Sequence, residues 1–326
     1  MKRPKTLPAF TEEERQRAHQ ILATRVAFMM GRKFEEGDWA NVYCGAKNIP
    51  LRGWSNLQID VMYKSLGVEH KMLCYRSRTN LAEACGRSLM HPSATRSIRV
   101  PSTDTEPNEA MRDVLSQYSA FIEARRSKVR ELSGTDEEPD IRTGWLLWQE
   151  SLRQFLYFEE EMLPPNPDDY TAEWVPSGGG TRKASKNLWV YEKETGTKRY
   201  SITTEAGAKI QPYFDVPPPS DPNLYLFTVI GEVIDTGFVR VWITEGTARE
   251  LRRLLGDLNI KTLSRAIIKS AQDIVKLEIT GENKIEVAQP VLISVEAYEA
   301  LRNAVPGVSD EHSFQLFAQY LRSRDM

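Results

Sequence analysis

Apolar residues early in the chain recur at helical spacing. Thr11 and Glu14 form a capping-box pattern, and Ile21, Leu22, Val26, Phe28 and Met29 continue it, predicting a helix from about 12 to 30. A second helix is expected from Trp39 to Ala46, closed at Lys47-Asn48-Ile49-Pro50 because proline disfavours helical backbone in the residue before it. The period then changes. Leu57 to Tyr63 and Val68 to Tyr75 are short and apolar-rich, and Lys64-Ser65-Leu66-Gly67 between them carries turn signals, so the two predict a β-hairpin. A third short strand is expected at Ser97 to Val100, ended by Pro101. From Asn108 to about Leu132, the positions Met111, Val114, Leu115, Tyr118 and Ile122 trace the apolar stripe of a long amphipathic helix. Thr143 to Trp148 and Phe155 to Phe158 read as buried strands.

Helices and strands alternating in this order suit an α/β (α+β) fold with a mixed central sheet flanked by helices. Leu163-Pro164-Pro165-Asn166-Pro167 and Gly178-Gly179-Gly180 interrupt regular structure, so a first domain is expected over 1–165 and a second over 176–326. The second part is an additional β-rich region. Leu188 to Glu192, Lys198 to Thr203, Tyr225 to Ile230 and Val239 to Thr244 predict strands. Helices are expected at Thr247 to Leu255 and Leu263 to Lys276, then a strand at Val291 to Ser294 and helices after Val295 and Glu311. No repeat of solenoid length is present in the sequence.

Composition narrows the classes. The chain has 326 residues, 40% hydrophobic and 27% charged, which is enough to bury a core and argues against wholesale disorder. Runs such as Leu224 to Ile230 are too short to span a bilayer, and Met1 to Lys5 precedes no apolar signal core, so a cytoplasmic protein without membrane partners is expected. Cys44, Cys74 and Cys85 show no paired spacing and are expected to be reduced thiols. His19, His70, His91 and His312 are scattered, which argues against zinc and against histidine-based nuclease motifs. No G-x-x-x-x-G-K-[ST] spacing occurs, so no nucleotide cofactor is expected. A net charge of −2 gives no general attraction to nucleic acid; any such binding must use a local basic surface.

The chemistry concentrates on the predicted hairpin. Asp60 lies on its first strand, and Glu69-His70-Lys71 on its second, where alternation sends Glu69 and Lys71 to one face and His70 to the other. Two carboxylates beside an ammonium are a donor set for holding Mg²⁺ and positioning a water for phosphodiester hydrolysis. The bland alternative is a cross-strand salt-bridge cluster. His70 is expected to be a packed, hydrogen-bonded histidine.

Asp60, eight intervening residues and then Glu69-x-Lys71 resemble the PD-(D/E)XK nucleases, particularly type II restriction endonucleases. The resemblance implies a restriction-endonuclease-like core, with Asp60 and Glu69 as Mg²⁺ ligands and Lys71 serving the attacking water. It departs in Ile59, where proline is usual, and in His70, where an apolar residue is commoner. A further acid from the preceding helix is implied: Glu36 ahead of Glu35 and Asp38. Asp273 with Glu282-Asn283-Lys284 repeats the spacing, but in a helix and a turn-like context. Glu159-Glu160-Glu161 reads as a solvated acidic face outside the site.

The expected function is a site-specific, Mg²⁺-dependent endonuclease acting on double-stranded DNA as a homodimer in a restriction system. A repair or modified-DNA nuclease of the same fold, or a DNA-binding protein without catalysis, are the alternatives. Arg87, Arg96 and Arg99, set among hydroxyl residues, and Arg182, Lys183, Lys186, Lys198 and Arg199, interleaved with Trp189 and Tyr191, are the candidate DNA contacts.

Overall fold

Thr11 opens the first helix as its sequence requires. Its hydroxyl accepts from the Glu14 amide at 3.2 Å, and the Glu14 carboxylate accepts from the Thr11 amide at 2.9 Å. The structure is a computed structural model. It describes residues 5–29, 33–50, 59–76, 80–92, 98–134, 136–177, 185–204, 208–235, 237–274, 287–305 and 308–324, with backbone alone at 272–274 and 324.

The chain begins with β1 (Thr6–Leu7), α1 (Glu12–Ala27) and α2 (Glu36–Lys47). Asn48 ends α2 in the left-handed region (φ 55°), just ahead of Ile49-Pro50. Strands β2 (Val61–Tyr63) and β3 (Leu66–Cys74) form the expected hairpin, with Val61 opposite Val68 and Tyr63 opposite Leu66. Then come β4 (Ser88–Met90), α3 (Pro107–Ser133), β5 (Asp140–Trp148) and β6 (Gln154–Glu161). β5 runs parallel to β3, so α3 lies in the crossover between them, and β6 returns antiparallel to β5.

Beyond these lie β7 (Tyr170–Ser177), β8 (Ser185–Glu192), β9 (Lys198–Thr203), β10 (Lys209–Asp215), β11 (Tyr225–Thr228), β12 (Glu232–Asp235) and β13 (Phe238–Thr244). The chain closes with α4 (Glu245–Leu255), α5 (Ile260–Ile274), β14 (Ala288–Ser294), α6 (Val295–Ala304) and α7 (Asp310–Arg324). Among the described residues this is a mixed α+β protein with three sheets. The first has the order β1-β6-β5-β3-β2, with β11 also on β6; the second is β4-β10-β9-β8-β7; the third is β12-β13-β14. β11 returns to the first sheet and β4 leaves it for the second, so pairing crosses the break expected at 165–176 in both directions. β13-α4-α5 and β14-α6-α7 repeat one order, with Thr244 and Ser294 as N-caps and Val241 opposite Val291.

One expected strand is corrected. Ile98 to Val100 is not a strand: the Arg99 amide donates to the Gln117 side chain on α3 and its carbonyl accepts from it, both at 2.9 Å, while Ser97 lies outside the described residues. The strand of this stretch is β4, only three residues long. β7, β10 and β12 were not legible from the pattern.

The first sheet is covered on both faces. On one, Val68, Leu146, Phe155 and Tyr157 pack with Leu22, Trp39 and Tyr43 from α1 and α2. On the other, Ile141 packs with Ile122 and Val129 of α3, while Trp145 stacks on Phe214 of the second sheet at 4.0 Å between ring centroids. α3 serves both sheets, because its opening residues Ala110, Met111, Val114 and Leu115 pack on Leu188, Val190 and Ile202 of the second. Its closing turns lie on the first.

A polar network fixes the α2-side face beneath β3. Arg142 and Tyr157 donate to the fully buried Glu159 at 2.9 and 2.8 Å. The Tyr157 hydroxyl also lies 3.3 Å from His70 Nδ1, which ties the imidazole into the same network. Glu159 is therefore the centre of a buried network and not part of a solvated acidic run, a correction to the reading of Glu159-Glu160-Glu161. Gly144 faces the same network, and a Cβ there would collide with the Tyr157 hydroxyl and stand 2.8 Å from His70 Nδ1. Gly144→Ala is expected to destabilise the fold by about 1–3 kcal/mol, as overpacking does. Urea unfolding followed by circular dichroism checks this; an unchanged midpoint would show that the network has room to move.

Candidate active site

Asp60 precedes β2 by one residue, so the register that sets Val61 against Val68 carries it opposite Glu69. Its Oδ2 accepts from the His70 backbone amide at 2.6 Å. Glu69 is buried, and its Oε1 accepts from Lys71 Nζ at 2.6 Å and from Arg125 Nη2 at 2.8 Å. His70 points to the opposite face against Tyr43 and Tyr157, as strand alternation demands. The hairpin thus assembles Asp60, Glu69 and Lys71 from local sequence, and α3 adds Arg125 from 56 residues away along the chain.

Arg125 was missed by sequence reasoning. The signal for it is a cation inside the apolar stripe of α3, on the same side as Tyr118, Ile122 and Val129. Its guanidinium lies 4.4 Å from the Phe121 ring centroid, and its Nε is buried with no hydrogen-bond partner among the described residues.

Asp60 and Arg125 line a cleft of about 1140 Å³ at the hairpin edge, between the start of α2 and the end of α3, and Glu69 and Lys71 stand behind them. Glu36, Asp60, Met72, Arg125, Lys128 and Trp148 contribute to its lining. Of the candidate acids at the start of α2, Glu35 and Glu36 both line this space. Asp38 is buried, accepts from the Glu35 amide at 3.0 Å and pairs with Arg25 at 3.4 Å.

The electrostatics of the two carboxyls differ. Asp60 is exposed as a residue, and its Oδ2 is held by the His70 amide. Burial, followed by repulsion from Glu69, outweighs the His70 hydrogen bond and the Lys71 charge, and the carboxyl is pushed up to about 7. Burial also disfavours charge on Glu69. Lys71 and Arg125 outweigh it by charge and hydrogen bond, and hold that carboxyl below its ordinary value. The His70 ring, driven down to about 3 mainly by burial, stays neutral.

Among the described residues, no three His, Cys, Asp or Glu side chains close on one point tightly enough to hold a metal ion by themselves. Asp60 and Glu69 are the pair of carboxylates at this centre that could share a divalent ion.

The candidate DNA contacts fare unequally. Arg87, Arg99 and Lys186 are exposed, with Arg87 Nη1 donating to the Tyr75 hydroxyl at 3.1 Å. Lys198 Nζ lies 3.1 Å from the Trp189 ring centroid, and partial burial draws its pKa down to about 8. Arg199 is half-buried and paired with Asp215 at 2.9 Å and Glu192 at 3.3 Å. Arg96, Arg182 and Lys183 lie outside the described residues, as do Glu282, Asn283 and Lys284 of the rival set. The backbone of Asp273 is helical, in α5.

Comparison with protein-family models, curated proteins and solved structures finds no match for this chain.

The raised Asp60 pKa sets a sign for stability. A group that holds its proton more tightly when folded contributes stability present in full below its unfolded pKa, near 3.8, and lost as pH rises through about 7. Metal-free protein is thus expected to show a Tm component that falls across that window. Asp60→Asn keeps an oxygen for the His70 amide and should remove this component, leaving the variant more stable than the unsubstituted protein near pH 8. Thermal unfolding in chelator from pH 5 to 8 checks it; parallel Tm curves for the two proteins would show that the Asp60 charge is well solvated.

Proposed function

We propose that this chain is a Mg²⁺-dependent endonuclease that hydrolyses phosphodiester bonds of double-stranded DNA, of the restriction type. The observation that carries the reading is the convergence of Asp60, Glu69 and Lys71 on a hairpin followed by a helix and a parallel strand, with Asp60 and Arg125 opening onto a cleft. That order is similar to the PD-(D/E)XK core, and the donor chemistry suits the ion. Two carboxylates held close enough for one to raise the pKa of the other form a site of excess negative charge, which a divalent cation would relieve.

Asp60 and Glu69 would hold the Mg²⁺, and Glu36, which lines the cleft, would add a further carboxylate. When bound, the ion supplies charge neutralisation at the phosphate and a more acidic water. Lys71 Nζ, already 2.6 Å from Glu69, is placed to orient the attacking water. Arg125, on the same carboxylate, adds a second cation to offset charge building on the phosphoryl oxygens. Cutting both strands needs two such centres, so a homodimer with two-fold symmetry is part of the proposal.

One observation favours a different reading. The Glu69 charge is already matched by Lys71 and Arg125, as in a structural ion-pair cluster, and that leaves a DNA-binding protein without catalysis as the competitor. Plasmid incubation with and without Mg²⁺ separates them. Discrete fragments are expected; random degradation would indicate another kind of nuclease, and no cutting would favour the binding protein. Asp60→Asn, Glu69→Gln and Lys71→Ala should each lower Mg²⁺-dependent cleavage by at least about 10²-fold while duplex binding survives. Near-normal cutting by Asp60→Asn would remove the assignment.

A further inference from the structure

The third sheet carries a surface that the nuclease reading has not used. α5 packs through Leu263, Ile267 and Ala271, all buried, and Ser264 Oγ accepts from the Ser294 amide at 2.8 Å, so the helix is held firmly on β14. Its outer face presents Lys261, Arg265 and Lys269, all exposed. Spaced four residues apart, they form one row, with about 6 Å of rise between neighbours and about 12 Å end to end.

This row works against the helix that bears it. Like charges four residues apart repel, and here the repulsion occurs twice. Lys261 also lies in the first turn, where the helix dipole disfavours a cation, and no acidic residue occupies that turn to offset it. None of the three has an ion-pair or hydrogen-bond partner among the described residues. Neighbouring α4 makes the contrast. Arg249 pairs with Glu245 at 3.6 Å, Arg253 with Glu250 at 2.9 Å, and Arg252 donates to Gln289 at 3.3 Å. Arg249 and Arg253 of α4 are thus matched by carboxylates, whereas no described side chain pairs with Lys261, Arg265 or Lys269.

We propose that the outer face of α5 is a DNA-backbone contact surface, with Lys261, Arg265 and Lys269 each bound to phosphate of a duplex. The proposal rests on the reading of the chain as a DNA endonuclease and extends it by naming where the substrate is gripped away from the cleavage centre. Duplex DNA is the complement in charge and in shape. It presents one negative charge per about 1.7 Å of axis, so a row of about 12 Å meets several phosphates. A single exposed helix is also the element its major groove admits.

Fluorescence anisotropy of a labelled duplex, with Ca²⁺ replacing Mg²⁺ and salt varied, tests this. Lys261→Ala/Arg265→Ala/Lys269→Ala should weaken binding about tenfold or more and lower the slope of log affinity against log salt by about 2 to 3. The corresponding Gln triple, which keeps side-chain length, should match it, and both should retain the parent circular dichroism with a Tm at or above the parent's. Arg112→Ala/Arg130→Ala serves as the control, because those guanidinium groups are already paired with Asp168 and Glu138. Unchanged affinity and slope in the α5 triples, while the parent binds duplex, would overturn the α5 assignment alone. Failure of the parent to bind any duplex would overturn both readings. Loss of binding to phosphatidylserine vesicles with duplex binding intact would assign the row to a lipid surface instead.

Discussion

Glu69 is an anion on β3, a strand with neighbours on both sides, and the structure keeps it ionised by closing Lys71 and Arg125 onto one carboxylate oxygen. A buried charge in such a position is tolerated only when paired, and removing one partner of a buried pair commonly costs several kcal/mol. Because Arg125 comes from α3, the pairing depends on where that helix lies. α3 is 27 residues long, and its two ends pack on different sheets. The second sheet, which contributes nothing to the lining of the cleft named above, therefore helps place a cation at the centre of the site.

The two faces of β3 divide the work. On the α2 side, His70 is neutral and tied through Tyr157 to Glu159 and Arg142. That network anchors the strand, and the backbone amide of His70 then fixes the Asp60 carboxyl. On the α3 side stand Asp60, Glu69, Lys71 and Arg125, of which Asp60 and Arg125 line the cleft. Asp60 is thus the member whose protonation is most open to change, since its partner is a single amide and its neighbours include two other carboxylates.

What the sequence disclosed follows the range of its signals. The hairpin, the first two helices and α3 were legible, because capping residues, turn residues and apolar spacing are local. Asp60, Glu69 and Lys71 lie within a dozen residues, so strand alternation and one turn were enough to bring them together. Arg125 needed a contact across 56 residues. Arg199 read as a free cation because Glu192 and Asp215 join it only once β8, β9 and β10 are paired. Glu159 looked solvated because nothing local shows that Arg142 and Tyr157 converge on it. β10 was hidden by Pro212, which interrupts a strand pattern, although it pairs with Tyr200. The repeat of strand and two helices at the C-terminal end escaped because it is carried by topology and N-caps more than by residue identity.

If Asp60 and Glu69 hold a divalent ion, as proposed, the Arg125 guanidinium stands on Glu69 only while that ion is absent. A crystal structure of the protein grown with Mn²⁺, with anomalous scattering measured, tests it most directly. The proposed site requires an anomalous peak within coordination distance of both carboxylates and an Arg125 guanidinium withdrawn from Glu69. Absence of a peak at saturating Mn²⁺, with Glu69 still gripped by both Lys71 and Arg125, would contradict it.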